Sequence, residues 1–274
     1  MTTVEATRVS PDWLELRESA DAAARSTELV GHLRRRLPAR GRQVIHDLGC
    51  GSGAMGRWLA PLLPGPQHWV LHDRDPDLLA LAGVRAPGPA EDGTPVTVET
   101  RRSDVTRLDR DDLAGATLVT ASALLDLLTE DELHGLIGAR AEAGCPVLLT
   151  LSVTGRVVLA PEDALDSRVA FAFDAHQRRT TQRGPLLGPD AVDTAVDAFR
   201  RGGARVVVSS SPWRLGAREA VLAVAWLNGW MGAAGEQDAG LAADAALYRR
   251  RRLREARAGR LAVTVGHADL LVLP

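Results

Sequence analysis

The stretch VIHDLGCGSGAMG, residues 44–56, decides the fold. A short apolar segment runs into Asp47, then into a glycine-rich turn, then into residues that suit a helix. Glycines are needed where a backbone turns sharply from strand to helix and must approach a ligand closely. Read from Gly51, the turn is G-x-G-x-x-G, the dinucleotide pattern. Read from Asp47, it is D-x-G-x-G-x-G, which suits a different nucleotide-like ligand. Both readings want an acid at the end of the next strand to accept ribose hydroxyls. Asp73, at the end of HWVLHD (68–73), fits either.

Outward from the turn, strands and helices alternate. Strands are expected at 44–49, 68–73, 96–104, 116–122, 146–153 and 204–210, with the last strand material in 260–274. Helices are expected at 54–63, from 77, at 129–140 and at 189–203. Thr129 with Glu132 forms a capping-box pattern. Upstream, apolar residues recur at helical spacing from Trp13 to Leu33, so 11–37 reads as helical, ended by Pro38. Short-interval alternation argues an α/β, doubly wound, Rossmann-like fold with a seven-stranded, mostly parallel sheet. The expected organisation is an N-terminal helical cap (1–40), a core (41–155), a substrate-side excursion (156–188) and the rest of the core sheet (189–274). Helices inserted at 217–258 complete the last part.

Three features separate the two readings of the turn. A pyrophosphate sits at a helix N-terminus, where negative charge is favoured, and Asp47 opposes it. The same carboxylate suits a ligand with a cationic ammonium. The third strand ends in Ser103-Asp104-Val105, where an acid can accept from an adenine amino group. Asp47, Asp73, Asp104 and Ser122 form one series of strand-end groups, and ligands of open α/β sheets lie across such ends.

With these residues in view, the sequence resembles the class I S-adenosylmethionine-dependent methyltransferases over about residues 44–155. VIHDLGCGSG resembles their glycine-rich motif, HWVLHDRDP their acidic second motif, and VTASALLDLL (119–128) their fourth-strand motif. The resemblance implies S-adenosylmethionine as cofactor. Gly49, Cys50, Gly51 and Gly53 would touch its methionyl and ribose portions, and Asp47 would face its ammonium. Asp73 would accept the ribose hydroxyls. Asp104 and the Val105 amide would bracket the adenine, with Arg74 and Ser122 completing the surface. The chain departs from the pattern at 122–128. Many members carry an Asn and a His pair there, where Ala123, Asp126 and Leu127 stand here.

The methyl acceptor leaves fewer traces. Asp126, an acid among leucines, is a candidate base with a raised pKa. His176, in FDAHQRR (173–179), is the candidate base by residue type. Arg17 and Arg25 on the N-terminal helix are candidate substrate contacts, against the plainer reading of a surface ion-pair ladder with Asp21. Trp213 could stack on a flat substrate, and His267 is a further candidate substrate contact, which Asp269, two residues away on one strand face, could orient unless the two are plain edge residues.

Composition narrows the classes. The chain of 274 residues carries a net charge of −2, so it is not an electrostatic nucleic-acid binder as a whole. The basic run YRRRRLREARAGR (248–260) lacks aromatic interleaving and reads as a solvated helix face. The chain has no lysine, one asparagine and two isoleucines, which fits a GC-rich bacterial genome and makes arginine the default cation. Two cysteines, no signal-like N-terminus and no long apolar run suggest a cytoplasmic protein. No metal-ligand spacing stands out. The expected function is methyl transfer to a small molecule, at O or N, in specialised metabolism. The alternatives are an S-adenosylmethionine-binding partner protein without transferase activity, an RNA methyltransferase and, disfavoured by Asp47, an NAD(P) oxidoreductase.

Overall fold

A computed structural model of the protein describes residues 9–37 and 41–274. In chain order the elements are α1 (Pro11–Ala24), α2 (Thr27–Arg34), β1 (Gln43–Leu48), α3 (Ala54–Leu59), β2 (Gln67–Asp73), α4 (Pro76–Val84) and β3 (Val96–Arg102). Next come β4 (Leu118–Ser122), α5 (Glu130–Ala143), β5 (Val147–Ala160), α6 (Asp166–Gln177), β6 (Thr180–Thr181) and β7 (Gly184–Pro185). The chain then forms α7 (Ala191–Arg201), β8 (Arg205–Ser210), β9 (Trp213–Leu215), α8 (Ala220–Gln237), α9 (Ala242–Arg257) and β10 (Ala262–Leu273).

The main sheet runs β3-β2-β1-β4-β5-β10-β8, with β9 also paired to β10. The first five of these strands are parallel to one another, and β10 is antiparallel to its neighbours. Side chains alternate across a strand, so a strand buried on both faces reads as a continuous apolar run. Leu148 and Leu149 therefore enter opposite cores, as do Leu270 and Leu271. One core packs the sheet on α5 and α7 through Leu133, Ala195 and Phe199. The other packs it on α2, α3 and α4 through Leu33, Leu59 and Ala82. A third cluster joins α6, α8 and α9 to β9 and the outer halves of β5 and β10.

Two expectations change. Residues 11–37 are two helices, not one. The chain turns extended at Arg25 and Ser26, and the Ser26 hydroxyl caps α2 by accepting from the Leu29 amide. Residues 1–8 of the expected cap, and Pro38, lie outside the described residues. The fifth strand does not end at 153. β5 runs 14 residues because its outer half pairs with β10, Val157 opposite Val265 and Leu159 opposite Val263. The excursion thus starts after Ala160, and FDAHQ lies on α6 rather than in an irregular segment.

A buried histidine pair sits inside the sheet. His46 Nδ1 and His72 Nε2 are 3.0 Å apart, and His72 Nδ1 is 2.9 Å from the Ser103 hydroxyl. Burial, helped by the other ring and by Arg101, lowers His46 from 6.5 to about 4. Burial and Arg101 lower His72 to about 4 as well. A depressed histidine keeps its contribution above its unfolded pKa and loses it as pH falls through the folded one. Thermal stability is therefore expected to drop between pH 6.5 and 4. His72→Gln should flatten that drop in a melting series, and an unchanged profile would contradict this role for the pair.

Candidate functional site

The strand ends of β1, β2 and β4 converge under α1. Gly49, Gly51 and Gly53 adopt φ of 64°, 54° and 82°, the left-handed region that favours glycine. A Cβ on Gly51 would lie 3.1 Å from Leu14 of α1, so the helix covers the turn closely. Arg57 of α3 secures that cover. It makes a two-pronged pair with Glu18 at 2.7 and 2.6 Å and donates to the Ser52 carbonyl at 2.6 Å. Arg85 adds a bond to Glu15 at 3.0 Å.

Asp47 is buried at the end of β1. Parallel register sets Thr120 of β4 beside it, and the Thr120 hydroxyl donates to Asp47 Oδ1 at 2.8 Å. Asp47 Oδ2 has no hydrogen-bond partner. Burial raises this carboxyl to about 7, against the pull of Thr120 and the Arg25 charge. Arg25, just past α1, is also buried and donates through Nη2 to the Ser122 hydroxyl at 3.0 Å. Its Nε and Nη1 find no partner. Burial lowers its pKa, offset by Asp21, Asp47 and Asp269. An orphan carboxylate oxygen and orphan guanidinium donors thus stand in one electrostatic neighbourhood.

Asp73 ends β2 and organises the turn. Its Oδ2 accepts from the Gly51 amide and its Oδ1 from the Asp75 amide, both at 2.9 Å. A cleft of about 320 Å³ opens between residues 9–11 and Asp75, Asp77 and Leu78, where the chain leaves β2 for α4. Asp104 caps the turn at 105–107 through the Thr106 amide and hydroxyl, while Val105 is partly buried against the core. Cys50 is a buried thiol pushed up by burial, and Arg74 is exposed.

On the other side of Arg25 lies a second group. Arg17 bonds Asp21 at 2.9 Å, and its guanidinium lies 5.0 Å from the Trp213 ring centre. Trp213 Nε1 donates to Asp21 at 3.0 Å, and its ring meets Trp13 and His267. His267 is buried and lowered to about 3, by burial and then by Arg17, and its Nδ1 is unpartnered. Asp126, in the turn after β4, is half-buried. Desolvation raises its carboxyl, and the Arg17 and Arg179 charges pull it back.

Three sequence readings do not survive this geometry. His176 ends α6 and pairs with Glu236 of α8 at 3.2 Å, so it is held in the outer helices and not among the strand-end groups. Asp269 does not orient His267. Its oxygens accept from the Ser26 amide at 2.7 Å, the Leu151 amide at 2.8 Å and the Ser211 hydroxyl at 2.6 Å. Nor are Arg17 and Arg25 a solvated ladder, because Asp21 and Arg25 are buried. Sequence reasoning does not reach Thr120 or the Glu18–Arg57 clasp, and it reaches Asp21 only as a surface residue. Only strand register reveals Thr120, and only the tertiary path of α1 reveals the others. Among the described residues, no group of three His, Cys, Asp or Glu is placed to hold a metal, and no helix is long and apolar enough to cross a membrane.

No protein-family model matches the chain, and no curated protein matches it by sequence. Solved structures do match its fold. The cyclopropane synthase MmaA2 from Mycobacterium tuberculosis is similar over 96% of this chain and 94% of its own, at 13% identity and a TM-score of 0.51. An S-adenosylmethionine-dependent methyltransferase from Geobacter sulfurreducens, complexed with S-adenosyl-L-homocysteine, covers 97% and 98% of the two chains at 17% identity and 0.48. One from Thiobacillus denitrificans, with the same ligand, covers 98% and 100% at 14% and 0.47. The strand order and the single antiparallel strand agree with this likeness: the chain has the class I methyltransferase fold.

Proposed function

We propose that the protein is an S-adenosylmethionine-dependent methyltransferase acting on a small-molecule acceptor at O or N. The observation that carries this is the pair of orphans, Asp47 Oδ2 and the Nε and Nη1 of Arg25. Leaving buried polar groups unpaired is costly, so such groups point to a ligand that completes them. An α-amino acid zwitterion supplies the complement of both. The ammonium of the methionyl half meets Asp47, and its carboxylate meets Arg25, which moves Arg25 from substrate contact to cofactor contact. A pyrophosphate would meet the Asp47 carboxylate instead, which disfavours a dinucleotide.

The remaining cofactor roles follow the strand ends. Asp73 has lone pairs left for ribose hydroxyls after holding the turn. Asp104 uses Oδ1 for its cap and Oδ2 in a loose pair with Arg107 at 3.7 Å, a solvent-side contact that an adenine amino group beside Val105 would share or displace. Gly49, Gly51 and Gly53 supply the left-handed conformations by which the turn would bring its backbone to the ligand. The sulfonium is an activated electrophile, so the protein's work is alignment, desolvation and removal of the acceptor's proton. Asp126 is the group we assign to that proton, and Arg17, Trp213 and His267 form the acceptor wall. Two buried thiols support a cytoplasmic setting.

Asp73→Ala tests the cofactor assignment. It removes the ribose acceptor and loosens the Gly51 turn, so S-adenosylhomocysteine affinity is expected to fall by about 100-fold, ~3 kcal/mol. Unchanged affinity in calorimetry would rule the assignment out. The alternative reading is a cofactor-binding partner without transferase activity. It predicts bound cofactor but no turnover in an acceptor screen.

A further inference from the structure

We propose that the cavity between α6, α8 and α9 is a second ligand site, for a single-chain amphiphile with an anionic head such as a medium-chain carboxylate. It is independent of the cofactor site. The cavity measures about 610 Å³ and has an apolar lining that includes Leu165, Val169, Met231, Leu241 and Leu253. That size lies within the range of small-molecule sites, about 300–1,000 Å³. Four arginines of α9 also line it: Arg249, Arg250, Arg254 and Arg257.

Helix geometry sorts the basic run into two groups. Arg251 and Arg252 turn toward Asp163 and Asp166. Arg252 is buried and also bonds Glu255 and the Pro161 carbonyl, and Tyr248 donates to Asp166. This half of the run is structural. The arginines at the cavity are exposed, and among the described residues Arg250, Arg254 and Arg257 make no ion pair. Among the described residues, the nearby acids Glu236 and Asp238 are already engaged, with His176 and Arg168. An apolar interior with an uncompensated cationic rim complements an apolar chain ending in an anion.

Gly235 offers a place from which to fill the cavity. It lies inside α8 on the cavity wall, where glycine is a poor helix former, and a Cβ there would meet nothing within 4 Å. No close approach of another segment requires a glycine at this position, so a larger side chain fits on the wall without a clash.

The test uses tryptophan quenching by ω-bromoundecanoate, because Trp230, stacked on Trp226 at 5.1 Å, immediately precedes the wall residue Met231. The intact protein is expected to show saturable quenching. The brominated alcohol and trimethylammonium of equal chain length should bind about tenfold more weakly, as loss of a charge-assisted contact implies. Arg254→Glu with Arg257→Glu should reverse the preference toward the cation. Gly235→Leu, which favours the helix and fills the cavity, should abolish quenching by all three. Equal quenching by the three heads, an unchanged preference after charge reversal, or full quenching in Gly235→Leu would overturn the proposal.

Discussion

Asp47→Asn is expected to destroy cofactor binding and at the same time stabilise the ligand-free protein. The two effects have one cause. The folded chain holds this carboxyl near 7 against an ordinary 3.8, because it is buried with one oxygen unpartnered. A carboxyl whose pKa is raised by folding opposes folding increasingly as pH climbs from 3.8 to 7, and by a constant amount above that. Asparagine keeps the Thr120 bond and removes the charge. Its new amide donor is unpartnered, which offsets part of the gain, so a net stabilisation of about 1–3 kcal/mol is expected at about pH 8. The ammonium of the ligand then loses a buried counter-charge, and affinity should fall by roughly 100-fold or more. Melting without ligand and calorimetry with S-adenosylhomocysteine measure the two halves. A variant less stable than the parent would contradict the assigned state of Asp47.

Asp269→Ala is expected to be the most damaging substitution for the fold. This side chain is fully buried, and accepts from the Ser26 amide before α2, the Leu151 amide on β5 and the Ser211 hydroxyl before β9. Leu151 has φ of 56°, a left-handed conformation that a leucine adopts only when its surroundings hold it. The pairing of β10 with β5 also shifts register between Ala268 and Leu270. Alanine would leave two buried donors and one partly buried donor unpaired at about 1–3 kcal/mol each, so a loss of ~4 kcal/mol is the central expectation. Denaturant unfolding reads this directly, and a loss below about 1 kcal/mol would show that Asp269 does not hold the junction.

Much of the fold and of the strand-end cluster around Asp47 and Asp73 is legible in the sequence. The glycine turn, Asp47, Asp73 and the alternation of apolar strands with helices lead to the sheet, because each rests on local constraints of backbone geometry and side-chain periodicity. Asp269 is conspicuous too, an acid inside the apolar run HADLLVLP that forms the end of β10. Its partners come from α2, β5 and the chain before β9, however, and no local pattern names them. The extension of β5 hides in TGRVVLA, where strand-forming residues continue past the point at which the parallel sheet ends. His176 misleads for the opposite reason. Residue type suggests a base, but α6 carries it to Glu236. Arg25 is legible as a cation and illegible as a buried one, since its burial depends on how α1 crosses the strand ends.

The most direct test of the central claim is calorimetry of the intact protein with S-adenosylmethionine and, separately, with NAD. The orphaned Asp47 and Arg25 predict saturable binding of S-adenosylmethionine and none of NAD. At about pH 6.5, where Asp47 is partly protonated in the free protein, binding should release protons, seen as heats that change with the buffer's ionisation enthalpy. Binding of NAD with no response to S-adenosylmethionine would contradict the claim.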